Sequence, residues 1–164
     1  MPTIIQPLNY HAAEKPLQSM PEATSQAWGS GALVIQGTNG QISVATTAGN
    51  NITTGNFITG LAARPASATV NTRIPVVAAD EQTVFIGSLC SNGTGTAYST
   101  AYAWNPAASN YYAIRNLSGN FVVNAAASAT NQYAQVLGPV PGTENDTVPL
   151  VRFKINPLFR GIGG

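Results

Sequence analysis

From Gly31 onward, short apolar runs alternate with turn residues along the chain. The pair Asn39-Gly40 separates two such runs, Ala32–Gln36 and Gln41–Ala45. Asn-Gly between β-prone runs is a strong hairpin signal, because both residues tolerate positive φ angles. The spacing of roughly 8–12 residues predicts an all-β fold, a compact antiparallel sandwich or barrel of about ten short strands. The further predicted strands cover residues 57–62, 73–79, 83–90, 98–104, 111–115, 120–124, 133–137 and 148–155.

Two of these runs carry more specific predictions. Pro75 lies in the run 73–79. Because proline cannot donate a ladder hydrogen bond, this run is predicted to be an edge strand or to start near Pro75. The run 98–104 alternates large and small side chains, which predicts a strand with one bulky face. The bulky residues are Tyr98, Thr100, Tyr102 and Trp104.

Both ends of the chain differ from its middle. Residues 1–30 contain Pro2, Pro7, Pro16 and Pro21, and their apolar side chains follow no clean period. Because proline blocks a helix and removes a hydrogen-bond donor, we predict an extended N-terminal arm over residues 1–30. A β domain over residues 31–156 follows, and residues 157–164 are predicted to form a flexible C-terminal tail that ends in glycines.

Composition excludes several classes of function. Charged residues make up 8% of the chain and the formal net charge is +1, which argues against nucleic-acid binding. The chain contains no run of 18 apolar residues, so no membrane span is predicted, and the N-terminus lacks the pattern of a secretory signal. With Cys90 and His11 as the single cysteine and histidine, no zinc site of the Cys/His type is possible within one chain. We expect neither a metal nor a cofactor.

Catalytic groups are equally sparse. His11 is the one histidine available for a Ser-His-Asp or Cys-His arrangement, and it lies in the predicted arm, where nothing fixes its geometry. The carboxylate pairs Asp80-Glu81 and Glu144/Asp146 lie in turn-like contexts and are interpreted as turn chemistry. The sequence therefore predicts a protein without catalytic residues that is not an enzyme.

The strongest candidates for function are apolar and aromatic side chains near the two ends and in a tyrosine pair. Apolar residues in a proline-rich arm favour contact with a partner surface, and adjacent strand residues such as the tyrosines point to opposite faces. The predicted partner-binding residues are Ile4, Ile5, Leu8, Tyr10, Trp28, Tyr111, Tyr112, Leu158, Phe159 and Arg160.

Three segments share a familiar layout: Gly31–Ile35 with the hairpin segment Asn39–Ala45, the run Phe57–Ala62 with its internal glycine, and the closing run Thr147–Ile155. Over residues 31–155 this layout resembles the core of capsid decoration (cement) proteins of tailed bacteriophages. The resemblance implies a structural virion protein on the outer surface of the phage head, made in the host cytoplasm. It further implies a homotrimer that binds the major capsid protein and stabilises contacts between capsomers.

Other functions stay open on the sequence alone. The aromatic residues also suit a carbohydrate- or receptor-binding β module, because exposed rings stack on sugars. A different structural component of a phage tail or baseplate would share the same composition. The sequence carries no motif that decides among these alternatives.

Overall fold

The computed structural model describes residues 6–7, 17–48, 51–53, 56–90, 110–117, 119–124, 131–144, 146 and 149–161. Within these ranges the fold is all-β, as predicted, with one short 3₁₀ turn, η1 (Pro157–Phe159). The predicted strand 98–104 lies outside the described residues. The strands are β1 (Gln6–Pro7), β2 (Gln18–Pro21), β3 (Leu33–Gln36), β4 (Ile42–Val44), β5 (Thr47–Ala48), β6 (Asn51–Ile52), β7 (Ile58–Ala62), β8 (Arg73–Ala78), β9 (Phe85–Cys90), β10 (Tyr111–Leu117), β11 (Asn120–Asn124), β12 (Ala134–Pro139) and β13 (Leu150–Ile155).

Five strands form a closed barrel in the order β9-β13-β12-β10-β11. Strands β10 and β11 correspond to the predicted strands at 111–115 and 120–124, and they pair antiparallel. Closure comes from a parallel pair in which Val123 of β11 lies beside Leu89 of β9. Barrel closure removes the exposed strand edges that otherwise promote aggregation. Strand β1 adds to β9 outside the ring, and β6 and β5 extend from β10.

The second sheet has the order β2-β8-β7-β3-β4. The β3–β4 pairing confirms the hairpin predicted at Asn39-Gly40, and of these two residues Gly40 has the positive φ, 79°. The two edge strands approach each other at one end, where Glu22 bridges Ile42 and the Ala23 N–H donates to the Ile42 carbonyl at 2.9 Å. This second sheet is therefore strongly curled.

A single apolar core joins the two sheets. Both sheets contribute fully buried side chains, and alternating burial along β12 and β13 gives the inward faces expected of half-buried strands. The largest fully buried side chains are Tyr133, Phe85, Phe121, Phe153, Leu33, Ile42, Ile52, Ile58, Ile74, Leu89 and Ile114.

The prediction that Pro75 marks an edge or the start of a strand is wrong. Strand β8 lies between β2 and β7, and Pro75 is its third residue. The Pro75 carbonyl accepts from the Ala63 N–H, so the side of Pro75 that lacks an N–H faces the chain beyond the end of β7. The β7–β8 register ends at Ala62 and Val76, and the sheet therefore loses little by having proline there.

The predicted arm over residues 1–30 is wrong for its second half. Strand β2 (Gln18–Pro21) pairs with β8 along its whole length, and Met20 is buried in the core. The carboxylate of Glu22 is fully buried and accepts hydrogen bonds from Ser67 N, Ser67 Oγ and Ala68 N at 2.8–2.9 Å. The prolines at position 16, before β2, and at position 21, its last residue, disfavour a helix but permit an edge strand. Residues 18–28 belong to the domain.

The predicted flexible tail over residues 157–164 is wrong for residues 157–161. These residues fold onto the domain: η1 is followed by Arg160, which forms a parallel bridge with Ile58, and the Gly161 N–H donates to the Ile58 carbonyl at 3.1 Å. The short segment Arg160–Gly161 thus lies beside the first residue of β7, just past the end of β8. The sequence has apolar residues at positions 158 and 159. In the structure Phe159 packs against Tyr133 and holds the segment on the domain.

Candidate partner-binding surface

Asn156 fixes the start of the C-terminal segment. Its side-chain amide donates to the Gln132 carbonyl at 2.8 Å, and its Oδ1 accepts from the Leu158 N–H at 3.1 Å. Its backbone carbonyl accepts from the Phe159 N–H at 2.9 Å. Asparagine is favoured at such a position, because its side-chain oxygen satisfies an N–H at the start of the turn. These bonds define the direction in which Leu158 projects.

Phe159 locks the same segment to the core. Its ring centroid lies 4.5 Å from that of Tyr133, with the two planes tilted by 34°. The Tyr133 hydroxyl donates to the carbonyls of Thr53 and Asn56 at 2.5 and 3.2 Å. Burial raises the pKa of that hydroxyl above its ordinary value of 10.0, because the charged phenolate is disfavoured away from water. Phe159 therefore acts as an internal anchor.

Leu158 projects outward from this anchored segment. Its exposed fraction is 76%, the highest among the large hydrophobic residues that the structure describes. Phe57, immediately before β7, is 55% exposed, and its Cβ lies near Gly161. Two exposed apolar side chains, one within the C-terminal segment and one beside it, are suited to burial by a partner.

Arg160 brings a positive charge to the same place. Its side chain is 13% exposed, and its Nη2 lies 3.6 Å from Oε1 of Glu81, whose side chain is 88% exposed. The Glu81 carbonyl accepts from Lys154 Nζ at 2.7 Å. Its neighbour Asp80 holds the turn, because Oδ1 accepts from Gln82 N, Thr83 N and Thr83 Oγ1 at 2.7–2.9 Å.

Two cavities flank the segment Arg160–Gly161, which forms a wall of both together with Thr59. One cavity, of about 390 Å³, also borders Gln18, Asp80 and Glu81. The other, of about 580 Å³, borders Phe57 and the β3–β4 turn. We name this surface the C-terminal corner and define it by Phe57, Thr59, Asp80–Glu81 and Pro157–Gly161.

The remaining predicted partner-binding residues occupy different positions. Trp28 is 7% exposed, packs in the core and donates its indole N–H to the Arg64 carbonyl at 3.3 Å, so its predicted partner contact is wrong. Tyr111 and Tyr112 are half-buried on opposite faces of β10, and Tyr112 packs against the core. Neither tyrosine lines the two cavities of the C-terminal corner. Ile4, Ile5, Leu8 and Tyr10 lie outside the described residues and stay predictions.

Sequence reasoning missed Phe57 and Glu81. Phe57 opened a predicted strand, and an apolar residue in a strand gives no sign of whether it faces the core. In the structure Phe57 lies one residue before β7, which starts at Ile58, and its side chain is 55% exposed. Glu81 was interpreted as turn chemistry, and its contact with Arg160 spans most of the domain sequence. Only a tertiary structure brings the two together.

The titratable residues offer little else. The described residues include no group of three or more His, Cys, Asp or Glu side chains placed to hold a metal ion.

None of the described segments forms a helix with the length and hydropathy needed to span a membrane. Comparison of the chain with protein-family models, with curated proteins and with solved structures found no match in any of the three.

Proposed function

We propose that this chain is a structural protein of a phage virion that decorates the outer surface of the head and stabilises contacts between capsomers. In this proposal its main partner is the major capsid protein, its assembly is a homotrimer, and it has no enzymatic role. The C-terminal corner supplies the contact with the shell.

The observation that carries the proposal is the rigid presentation of Leu158. The side chain is 76% exposed, yet the bonds of Asn156 and the stacking of Phe159 on Tyr133 fix the backbone that bears it. An exposed leucine on a fixed turn contributes nothing to the stability of the monomer. A clamp protein benefits, because a preordered anchor loses little conformational entropy when it binds.

The energies suit a protein that binds in many copies. Full burial of Leu158 and of Phe57 contributes about 1.5–3 kcal/mol each. One such contact is weak, but three subunits that engage a shell together raise the effective concentration of each. A closed barrel also leaves few exposed strand edges to promote self-aggregation at high local concentration.

The test uses heads of the phage that encodes the chain, assembled without it. Purified protein is added, and bound protein is measured after sedimentation of the heads. We expect saturable binding by the wild type and at least a tenfold weaker binding by Leu158→Ser. Val70→Ser is the matched control, because Val70 is also an exposed hydrophobic residue but lies in the loop at the other end of β7.

Two results would count against the proposal. Failure of the wild-type protein to bind its own heads would remove the assigned partner. Equal loss of binding by Leu158→Ser and Val70→Ser would show that general surface hydrophobicity, rather than the C-terminal corner, governs attachment. Saturable binding to a glycan array instead of to heads would favour a carbohydrate-binding module.

A further inference from the structure

The cavity beside Phe57 has the size of a recognition site. Its volume of about 580 Å³ falls within the range of roughly 300–1,000 Å³ typical of ligand pockets. Phe57 supplies an apolar wall, Gln36, Thr38 and Thr59 supply neutral polar groups, and Arg160 is the charged residue among those that line it in the described chain. The charged group on this wall is therefore a cation, while Asp80 and Glu81 border the adjoining cavity on the other side of Arg160.

Arg160 is weakly neutralised by its present partner. A good arginine–carboxylate hydrogen bond has a length of about 2.7–2.9 Å, whereas Nη2 of Arg160 lies 3.6 Å from Oε1 of Glu81. Glu81 is 88% exposed, and an ion pair with so exposed a member contributes about 0–1 kcal/mol. The Arg160 side chain as a whole is 13% exposed.

This combination favours a second carboxylate. A guanidinium carries five N–H donors in a planar fork, and a partner that presents a carboxylate from the Phe57 side would meet donors that Glu81 leaves unused. An apolar side chain next to that carboxylate would contact the exposed face of Phe57. Charge complementarity thus selects one kind of occupant.

We infer that the C-terminal corner binds a segment of the partner protein in which an acidic residue stands beside an apolar one. The carboxylate pairs with Arg160, and the apolar side chain packs on Phe57 in the adjoining cavity. This inference rests on the proposed function, which assigns the major capsid protein as the partner. Glu81 then acts as a competitor that occupies Arg160 in the free protein.

The competing role of Glu81 gives the test opposite signs for two neighbouring variants. Binding to heads that lack the protein is measured for Arg160→Met and Glu81→Gln. Loss of the cation is expected to weaken binding by about tenfold or more, because the partner carboxylate loses its counter-charge on burial. Loss of the competing carboxylate is expected to tighten binding by about two- to fivefold, which matches the value of an exposed ion pair.

The matched control replaces an arginine that lies far from the C-terminal corner. Arg73 begins β8, while the C-terminal corner adjoins its end at Ala78, roughly 17 Å away at about 3.3 Å per residue. Arg73→Met is expected to bind heads like the wild type. The Glu81 side chain is almost fully exposed, so Glu81→Gln is expected to fold even if Arg160→Met does not, and its sign alone decides the inference.

The outcomes separate this inference from the proposed function. Wild-type binding with Arg160→Met unchanged, or with Glu81→Gln unchanged or weaker, overturns the carboxylate site and leaves decoration of the head intact. Parallel losses in both variants would mean that the ion pair merely holds the C-terminal segment in place. Absence of wild-type binding overturns the proposed function and the inference with it.

Discussion

Replacing Glu22 with glutamine tests how the second sheet is held together. In the native protein, Oε2 of Glu22 accepts from Ser67 N and Ser67 Oγ at 2.9 and 2.8 Å, and Oε1 accepts from Ala68 N at 2.9 Å. The loop that donates these bonds includes a positive φ of 61° at Ala68, which is costly for a residue other than glycine. The carboxylate offsets that strain from a fully buried position.

The glutamine amide preserves the volume of the side chain but reverses one hydrogen-bond role. If its oxygen stays on the Ser67 side, its NH₂ group faces the Ala68 N–H, and two donors oppose each other. A hydrogen bond to a charged group contributes about 1.5–3 kcal/mol, and a buried donor without an acceptor costs about 1–3 kcal/mol. Because the two terms overlap, we expect Glu22→Gln to lower the free energy of unfolding by about 2–4 kcal/mol.

Equilibrium unfolding in urea measures this change. With a slope of about 2 kcal/mol per molar urea, the midpoint is expected to fall by about 1–2 M at an unchanged slope. Glu144→Gln is the control: Glu144 is exposed and accepts from Gly142 N at 2.8 Å, so its loss is expected to change stability by less than about 0.5 kcal/mol.

The opposing effect is desolvation of the carboxylate. Burial of a charge is expensive, and a neutral replacement for a buried ionic group is often neutral or stabilising. A Glu22→Gln protein as stable as the wild type, or more stable, would show that desolvation outweighs the three hydrogen bonds. The interpretation of Glu22 as a stabilising tie between β2 and the loop would then be refuted.

Three further predictions concern the core and the ends of the chain. Gly60→Ala is expected to destabilise the protein by about 1–3 kcal/mol in urea unfolding, because a Cβ there would overlap the Val77 carbonyl oxygen. Gly29→Ala is the control, because a Cβ at Gly29 would meet open space. Equal stabilities of the two variants would contradict the prediction. Tyr133→Phe is expected to cost about 1–2 kcal/mol at neutral pH through its lost hydrogen bonds. Burial raises the folded-state pKa of Tyr133, so the stability that this residue contributes is present below the ordinary value of 10.0 and is lost as pH rises through the raised value. The loss of stability at alkaline pH should therefore be smaller in Tyr133→Phe. An unchanged dependence of stability on pH would show that Tyr133 is not the source of the loss. Deletion of residues 1–27 is expected to abolish cooperative unfolding followed by circular dichroism, since it removes β2, Met20 and Glu22, and a folded truncated domain would contradict their place in the core.

Local features of the fold were predictable from the sequence. The Asn39-Gly40 turn specifies the β3–β4 hairpin through a φ of 79° at Gly40, a requirement that a short segment carries by itself. The run that became β13 alternates buried and half-buried residues, as expected for a strand with one inward face.

Long-range features were not predictable in the same way. The parallel pairing of β11 with β9 closes the barrel, and no short pattern encodes which two distant strands become neighbours. Strand β2 escaped prediction because its flanking prolines suggested an arm, whereas its pairing depends on β8 more than fifty residues later. At the C-terminal corner, Leu158 and Arg160 were predicted as partner-binding residues from their position in an apolar tail. Phe57 was placed in a predicted strand, and its sequence position did not indicate that its side chain is exposed.

Cryo-electron microscopy of heads of the phage that, in this proposal, encodes the chain is the most direct test of the proposed function. We expect density for this two-sheet β fold on the outer surface of the head, with Leu158, Phe57 and Arg160 turned toward the capsid protein. Heads that carry no such density, or density in which the C-terminal corner faces away from the shell, would contradict it.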